Sequence, residues 1–299
     1  MERKAFINGK EYRLIEEVTY LDTMQKLILC VNESDVTFAC SEQTWSKNEI
    51  VRKQGLENQL QETKPAITGQ SSTQEKIDLF LAMFKGREDV FARRFYSSKT
   101  GKSGYAPVCK NEWNPMVCDK KKYRCSECPN REFVSLTYEI IKSHLIGRDL
   151  YCRDVVAIYP MLEDNTTNLL VVDFDKEHWK EDVAAFCQTC RGFGLLPAVE
   201  RSRSGNGVHI WFFFEEPVQA CDARRLGTAL LTRTMELRHE LSFESYDRLF
   251  PSQDTVAKSG FGNLIALPFQ GQAQKKGNSL FVNEEFVPYP DQWAYLSGI

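Results

Sequence analysis

Long hydrophobic runs are missing from this sequence of 299 residues. No stretch approaches the roughly 20 apolar residues that a membrane-spanning helix needs. The first residues, MERKAFING, also lack the apolar core of a signal peptide. We therefore expect a cytoplasmic protein that has no membrane partner.

An excess of positive charge is missing as well, since 38 Lys and Arg against 41 Asp and Glu give a formal net charge of −3. Overall charge therefore gives no support for nucleic-acid binding, which would need local basic patches. Ten cysteines are present. In a reducing compartment they indicate metal binding or packing in a core, not disulfides.

Two domains and a linker are predicted from the order of patterns along the chain. Residues 1–62 form a small β-rich unit, with two hairpins within 6–40 and a polar helix over 44–62. Residues 63–73 (TKPAITGQSST) are rich in Pro, Gly, Ser and Thr, which predicts a linker. Residues 74–299 form the second domain.

Helices and strands alternate irregularly in this second domain, which predicts an α+β (mixed α/β) fold. Helical spacing of apolar residues is present over 74–84, 138–145, 182–192 and 217–241. Short apolar runs predict strands at 155–159, 169–174, 197–200, 208–214, 246–250 and 264–267. From residue 272 onward the signals are weak.

Basic and aromatic residues are mixed over 87–96, where Arg87, Arg93 and Arg94 accompany Phe95 and Tyr96. Such a mixture could contact a phosphate backbone and stack bases. The alternative, which this stretch alone favours, is an amphipathic helix whose arginines face solvent.

Four cysteines lie close together in CKNEWNPMVCDKKKYRCSECPN: Cys109, Cys118, Cys125 and Cys128. The last two form a C-x-x-C turn, and four thiolates suit a tetrahedral structural zinc ion. The alternative is four reduced cysteines without metal. For the six other cysteines we predict packing in the core: Cys30, Cys40, Cys152, Cys187, Cys190 and Cys221.

Two acids end the apolar run NLLVVDFD, and on a strand Asp173 and Asp175 project from the same face. Two carboxylates on one face repel each other unless a cation lies between them, which favours a hard divalent metal. A D-x-D pair alone is weak, because it also occurs in nucleases, sugar-nucleotide transferases and surface turns. Asp247 and Asp254 are candidates for a third ligand, and Asp247 is preferred because it lies within a predicted strand.

A Ser/Gly turn follows in ERSRSGNGVHIWFFF. Glycines let the backbone approach a ligand, and successive N–H groups can bind an anion. We predict that this segment holds a triphosphate through Arg201, Arg203, Ser204, Gly205, Gly207 and His209. The alternative for His209 is a hydrogen-bonded core histidine.

Taken together, DFD, SGNGVH and YD resemble the three-motif signature of the archaeo-eukaryotic primase (AEP) superfamily. FKGREDVFARRF, SGYAPVCKNEW, YDRLFPSQD and GFGNLIALPFQG are similar to the primase domain of TOTE conflict systems. The resemblance covers about residues 77–270 and leaves 1–70 unassigned. It implies an AEP/RRM-like catalytic core into which the zinc knuckle at 109–128 is inserted.

The resemblance also implies a function, a template-directed DNA primase-polymerase. Asp173, Asp175 and Asp247 would bind Mg²⁺ or Mn²⁺, and Lys258 and Asn263 would be further nucleotide contacts. The partners would be a single-stranded DNA template, a primer and deoxy- or ribonucleoside triphosphates. TOTE proteins often carry helicase or nuclease domains, so a helicase or nuclease partner is expected.

Two other functions fit part of the sequence. A non-catalytic nucleic-acid-binding replication module would explain the cysteines and the basic patches, but not the three acids. A metal-dependent nuclease would explain the acids, whereas the Ser/Gly turn with its arginines favours a triphosphate substrate.

Overall fold

The computed structural model describes residues 3–7, 10–19, 26–32, 37–48, 66–238, 244–256 and 260–299. The chain divides into two compact units, Met1–Thr63 and Lys64–Ile299. Within the described residues, none of the helices combines the length and the apolar character that crossing a membrane requires.

The first unit is a four-stranded antiparallel sheet with one helix. Its strands lie in chain order as β1 (Lys4–Ile7), β2 (Lys10–Thr19), β3 (Lys26–Asn32) and β4 (Thr37–Ser41), and α1 (Glu42–Asn48) follows. The two predicted hairpins are confirmed as paired strands. Trp45 and Cys30 are fully buried in its small core. Residues 49–62 of the predicted helix, like residues 8 and 9 of the first predicted hairpin, lie outside the described residues.

The second unit contains nine strands and six α-helices among its described residues. In chain order these are α2 (Thr73–Met83), β5 (Ala92–Tyr96), β6 (Ser103–Pro107), α3 (Tyr138–Ile146), β7 (Val156–Ile158), β8 (Thr166–Phe174), α4 (Trp179–Gly192), β9 (Ala198–Arg201), β10 (Val208–Gln219), α5 (Ala220–Leu237), β11 (Tyr246–Phe250), β12 (Ile265–Ala266), α6 (Gly271–Gln274), β13 (Leu280–Phe281) and α7 (Gln292–Ser297). A short 3-10 helix, Cys125–Glu127, precedes α3.

These strands form two sheets, one in the order β11-β8-β10-β9-β13 and the other in the order β12-β7-β5-β6. All the observed strand pairs are antiparallel, so the predicted α+β class is confirmed. The described part of the predicted linker belongs to this unit, because the Ile67 N–H donates to Ser297 Oγ and the Gly69 N–H to Asp291. Ser72 and Glu75 then cap α2 reciprocally.

Strand β8 is buried on both faces, which explains its uninterrupted apolar run. Leu170, Val172 and Phe174 pack in the core that α4 and α5 cover. Leu169 and Val171 point the other way, into the core shared with α2, α3 and the second sheet. Asp173 continues this second face, so the fold aims it away from α4 and α5.

Three local predictions are corrected by the structure. Residues 92–96 are strand β5 and not an amphipathic helix, because Ala92 is buried and pairs with both β6 and β7. The predicted helix over 217–241 begins only at Ala220, since β10 resumes its pairing with β8 after a bulge and extends to Gln219. Cys152 and Cys221 are only partly buried, whereas Cys30, Cys40, Cys187 and Cys190 are buried as predicted.

Candidate active site

A row of three polar side chains crosses the five-stranded sheet. In the strand register, His209 on β10 lies opposite both Asp173 on β8 and Glu200 on β9. Residues that are opposite each other share a face of the sheet. His209 Nε2 lies 3.8 Å from Asp173 Oδ1, and His209 Nδ1 lies 2.8 Å from Glu200 Oε2.

Glu200 is the buried residue that fixes the orientation of His209. It is 1% exposed, and its Oε2 also accepts a hydrogen bond from Trp211 Nε1 at 3.1 Å. Because a carboxylate only accepts hydrogen bonds, Nδ1 of His209 must carry a proton and donate a hydrogen bond to Glu200. Nε2 then faces Asp173, and the ring orientation is fixed. His209 is thus a largely buried, hydrogen-bonded histidine, as the alternative describes, and its second ring nitrogen lies 3.8 Å from Asp173.

The other two acids lie beside Asp173. Asp175 follows β8 directly, and its N–H donates to the Ser245 carbonyl at 2.7 Å. Asp247 lies at a register shift in β11, between Tyr246 opposite Phe174 and Arg248 opposite Asp173. Such a bulge re-aims a side chain. The Asp247 carboxylate accepts a hydrogen bond from Arg248 Nε at 2.6 Å.

The pKa shifts of Asp173 and His209 show that several carboxylates lie close together. Burial raises the pKa of Asp173, and although the nearby His209 opposes that shift, Asp247 and Asp175 add to it. Burial lowers the pKa of His209, but Glu200 and Asp173 outweigh it and the net shift is upward. The carboxylates thus repel each other, and positive charge beside them is favoured.

The Ser/Gly turn presses its backbone against the acids. A Cβ at Gly207 would lie 2.1 Å from the Phe174 carbonyl oxygen and 2.8 Å from Asp175 Cα, so only glycine fits. Gly205 has a φ of +84°, which favours glycine. Its N–H donates to the Ser202 carbonyl, and the Asn206 N–H donates to Ser204 Oγ. These two N–H groups therefore stabilise the turn and are not free to bind an anion in this conformation.

The two arginines before the turn are separated by strand alternation. Arg201 lies opposite Val208, on the face away from Glu200 and His209, and its Nη2 donates to the Phe286 carbonyl at 2.6 Å. Arg203 lies past the end of β9 and interacts with the Tyr105 hydroxyl. The strand register therefore turns Arg201 away from His209, whereas Arg203 interacts with Tyr105 of the neighbouring sheet.

Three other predicted contacts have partners within the fold or lie outside the described residues. Asn263 is engaged within the fold, since its Nδ2 donates to the Leu249 carbonyl and its Oδ1 accepts from the Ser252 N–H. Lys258 lies outside the described residues. The Arg87 side chain is 8% exposed and paired with Asp89 and Glu163. Its charge is satisfied internally, so the predicted nucleic-acid contact of Arg87 does not fit its position.

The four clustered cysteines line one small cavity of about 30 Å³ beside Phe133. The Glu132 N–H donates to Cys109 Sγ at 3.3 Å. Burial raises the pKa of the Cys125 thiol, Lys120 opposes this, and Cys118 and Cys109 add to it. Four thiols that line one cavity have the donor chemistry of a soft-metal site, but the described side chains are not arranged as one.

Comparison with known families identifies the family of this chain. Residues 75–299 match the family described as the archaeo-eukaryotic primase domain of TOTE conflict systems. This chain belongs to that family. The resemblance predicted from the motifs is confirmed, and the match extends beyond the predicted limit near residue 270 to the end of the chain.

Other comparisons add little about this AEP domain. Among curated proteins, none matches its sequence. Among solved structures, the polymerase domain of Ligase D from Mycobacterium tuberculosis, in complex with DNA, is similar to it. The TM-score is 0.38 with 13% sequence identity, and the match covers 75% of this chain and 82% of that chain. A similarity at this level supports no inference about activity.

The acids of the AEP domain fit a divalent metal ion by their donor chemistry. Carboxylate oxygens are the ligands that Mg²⁺ and Mn²⁺ prefer. Asp175 Oδ1 forms no hydrogen bond, and Lys176 Nζ lies 3.9 Å from it, so this oxygen is open to a metal ion. As the side chains stand, no three His, Cys, Asp or Glu groups in the described part of the chain form a ready-made metal site. Asp247, now turned to Arg248, would have to rotate toward the ion.

Two residues of this site escaped the sequence analysis. Glu200 ends the short apolar run PAVE, and an acid in such a strand could have signalled a buried partner for the histidine nine residues later. Tyr105, on β6 of the other sheet, reaches Arg203 only through the tertiary fold. No local pattern indicates that contact.

Proposed function

We propose that this AEP domain is a template-directed nucleotidyltransferase, a DNA primase-polymerase that synthesises or extends primers on single-stranded DNA. One observation carries the proposal. Three carboxylates lie near enough to interact electrostatically at the ends of adjacent strands, beside a histidine that a buried glutamate orients. Membership of the AEP family supports the same reading.

Asp173, Asp175 and Asp247 would hold the catalytic Mg²⁺ or Mn²⁺. When bound, these ions supply Lewis acidity for an attacking 3′-hydroxyl and neutralise the triphosphate and the leaving pyrophosphate. Asp175 Oδ1, which forms no hydrogen bond, and the mutual repulsion around Asp173 support this assignment.

The incoming nucleotide would be oriented by groups on the same face. His209, held by Glu200, and Ser204 would bind the triphosphate, with Gly205 and Gly207 letting the chain come close. Arg203 would counter its charge, since Arg201 points to the other face. Positioning and charge stabilisation provide most of the catalysis in phosphoryl-type transfer, so no covalent nucleophile is required.

Arg93 and Arg94 on β5 would bind nucleic acid. Arg93 is exposed on β5, and Arg94 donates to the Tyr151 carbonyl. Arg87 is left out of this role because it is buried with two carboxylates. A helicase or nuclease partner is also proposed, from the kinds of domain that TOTE proteins carry.

One incubation separates this function from its rivals. Full-length protein is mixed with primed or unprimed single-stranded template, Mn²⁺ and labelled nucleotides. Primer extension or new products on unprimed template are expected. Cleavage of the template would instead identify a nuclease, and retention of the strand without synthesis would identify a non-catalytic binding module.

His209 provides a test of the nucleotide site. His209→Gln removes the ring that links Glu200 to the acid face, and we expect the KM for nucleotide to rise about tenfold or more. The measurement is primer extension at varied nucleotide concentration. A variant with unchanged KM would exclude a role for His209 in nucleotide binding.

Zinc at the cysteine cluster provides a further test. Metal analysis of the purified protein should find about one zinc ion per chain. A double change, Cys125→Ser with Cys128→Ser, should remove it and lower the thermal midpoint, because a structural site contributes folding free energy. Cys221→Ser is the matched control, since Cys221 is a partly buried thiol outside the cluster. Well-folded wild-type protein that contains no zinc would refute zinc binding by the cysteine cluster.

A further inference from the structure

A large cavity is lined by residues other than the catalytic acids. It has a volume of about 680 Å³, and its walls come from β5, the end of β6, the cysteine-rich segment and the region around α3. Asp173, Asp175, Asp247 and His209, all described residues, are not among the side chains that line it. Its lining includes four arginines and two exposed aromatic side chains: Arg93, Arg94, Arg148, Arg153, Phe95 and Trp113.

The positive charge of this cavity is only partly neutralised. Arg153 is paired with Asp149 at 2.7 Å, and Glu112 is paired with Lys120 at 2.5 Å. The third acid, Asp154, accepts hydrogen bonds from Gln270 Nε2 and the Asp149 N–H. Each acid of the cavity thus already has donors.

Three of these arginines have no carboxylate partner among the described residues, and one of the three, Arg94, donates to the Tyr151 carbonyl. Arg93 and Arg148 are both exposed, and neither forms an ion pair with a described residue. Arg93 instead lies over the ring of Phe91, with its guanidinium carbon 5.8 Å from the ring centroid. Two uncompensated guanidinium groups lining one concave surface are suited to bind phosphate oxygens.

The aromatic side chains of the cavity are exposed to an unusual degree. Trp113 is 75% exposed and Phe95 is 46% exposed. Trp113 also has a φ of +61°, a backbone conformation that bulky residues rarely adopt. The Lys120 ammonium lies 3.9 Å from the centroid of its indole ring. An exposed indole held in this way offers a stacking surface for a base.

We propose that this cavity binds single-stranded DNA, with a phosphate group at Arg93 and Arg148 and a base stacked on Trp113 or Phe95. The choice of ligand rests on the proposed function, but the charge and the aromatic surface do not. The strand would thus be held at a second place, so that a template or a primer end stays bound while the catalytic site exchanges nucleotides.

Two variants separate the phosphate contact from the stacking contact. Binding of a fluorescent oligo-dT strand to full-length protein is measured by anisotropy over a range of salt concentrations, without nucleotide. Arg93→Ala with Arg148→Ala should weaken binding about tenfold or more at low salt. It should also reduce the slope of log K against log salt by about 0.7, since each phosphate neutralised on a single strand contributes about that amount.

Trp113→Ala should weaken binding roughly tenfold, a typical loss for one stacked base, with the salt slope unchanged. Zinc content and thermal midpoint are measured for each variant to exclude unfolding. The matched control is Arg225→Ala with Arg233→Ala, which removes two exposed arginines of α5 that are paired with Asp222 and Glu236. The control should bind as the wild type does.

Oligonucleotides with and without a 5′ phosphate identify the source of the phosphate group. Tighter binding of the phosphorylated strand that is lost in the Arg93/Arg148 variant would assign the site to a strand end. Equal binding of both strands would assign it to an internal phosphate. A wild-type affinity and salt slope in the Arg93/Arg148 variant would overturn the proposal.

The test is also independent of catalysis. Wild-type protein that binds the strand through this cavity but makes no product would refute the primase-polymerase assignment alone. Protein that makes product while the cavity variants bind normally would refute the cavity alone.

Discussion

Replacing Asp173 by Asn is expected to reduce nucleotide incorporation by at least about a thousandfold and to leave the fold intact. The change removes one carboxylate from the centre of the acid cluster, where Asp173 lies opposite both His209 and Arg248 in the strand register. Losing a single preorganised electrostatic contact typically costs 10²–10³ in rate. A lost metal ligand should cost at least the upper end of that range. Primer extension with Mn²⁺ provides the measurement.

The thermal stability of the same variant should not fall with its activity. Burial and the neighbouring acids raise the pKa of Asp173 above its value in the unfolded chain. As the pH rises through the unfolded pKa, the unfolded state loses its proton first, so the charged carboxylate costs stability at neutral pH. Asparagine removes that charge. Without metal, the thermal midpoint should therefore equal or exceed that of the wild type.

Asp254→Asn is the matched control for this prediction. Asp254 lies past β11, and its exposed carboxylate is paired with Arg224. An isolated surface pair contributes little to stability. This variant should keep both activity and thermal midpoint. Full activity in Asp173→Asn would contradict the catalytic assignment, and loss of activity through unfolding would contradict the electrostatic argument.

The sequence indicates the candidate residues of the site, whereas their partners become visible only in the fold. Alternation along a strand places Asp173 and Asp175 on one face from local spacing alone. The histidine was found because it begins the strand that follows the Ser/Gly turn. That Asp173 and His209 are opposite each other depends on the register between β8 and β10. Register is a tertiary property that a single sequence does not contain.

The arginines show the same limit. Arg201 and Arg203 are equivalent in the sequence, but β9 pairs with β10 through Arg201, which turns its side chain away from His209. Arg87 and Arg93 lie in the same basic and aromatic stretch of sequence. Asp89 and Glu163 neutralise Arg87, however, and Glu163 is 76 residues away from it along the chain. Long-range partners of this kind decide which basic residues are free to bind an anion.

Replacing Gly207 by Ala should be the most damaging change outside the charged groups. The new Cβ would lie 2.1 Å from the Phe174 carbonyl oxygen and 2.8 Å from Asp175 Cα. Neither backbone atom can yield without moving the end of β8, which carries Asp173. A displacement of about 1 Å at a reacting centre can cost about 10²-fold in rate. We therefore expect a loss of at least about a hundredfold in nucleotide incorporation.

The same clash should lower stability by about 2 kcal/mol, a typical loss for a strained core substitution. In a unit of this size that is a fall of about 4–8 °C in thermal midpoint. Both effects are read from one preparation, by primer extension and by thermal unfolding. An active and stable Gly207→Ala protein would show that the turn and β8 do not approach as closely as the structure places them.

Gly192→Ala distinguishes this effect from the general consequence of adding a methyl group. Gly192 is the last residue of α4, and a Cβ there would meet no atom within 4 Å. Alanine restricts the unfolded chain more than glycine does, so the variant should be neutral or more stable by up to about 1 kcal/mol. Its activity should equal that of the wild type. The contrast between these two glycines assigns the loss at Gly207 to the contact between the Ser/Gly turn and the strand that carries Asp173.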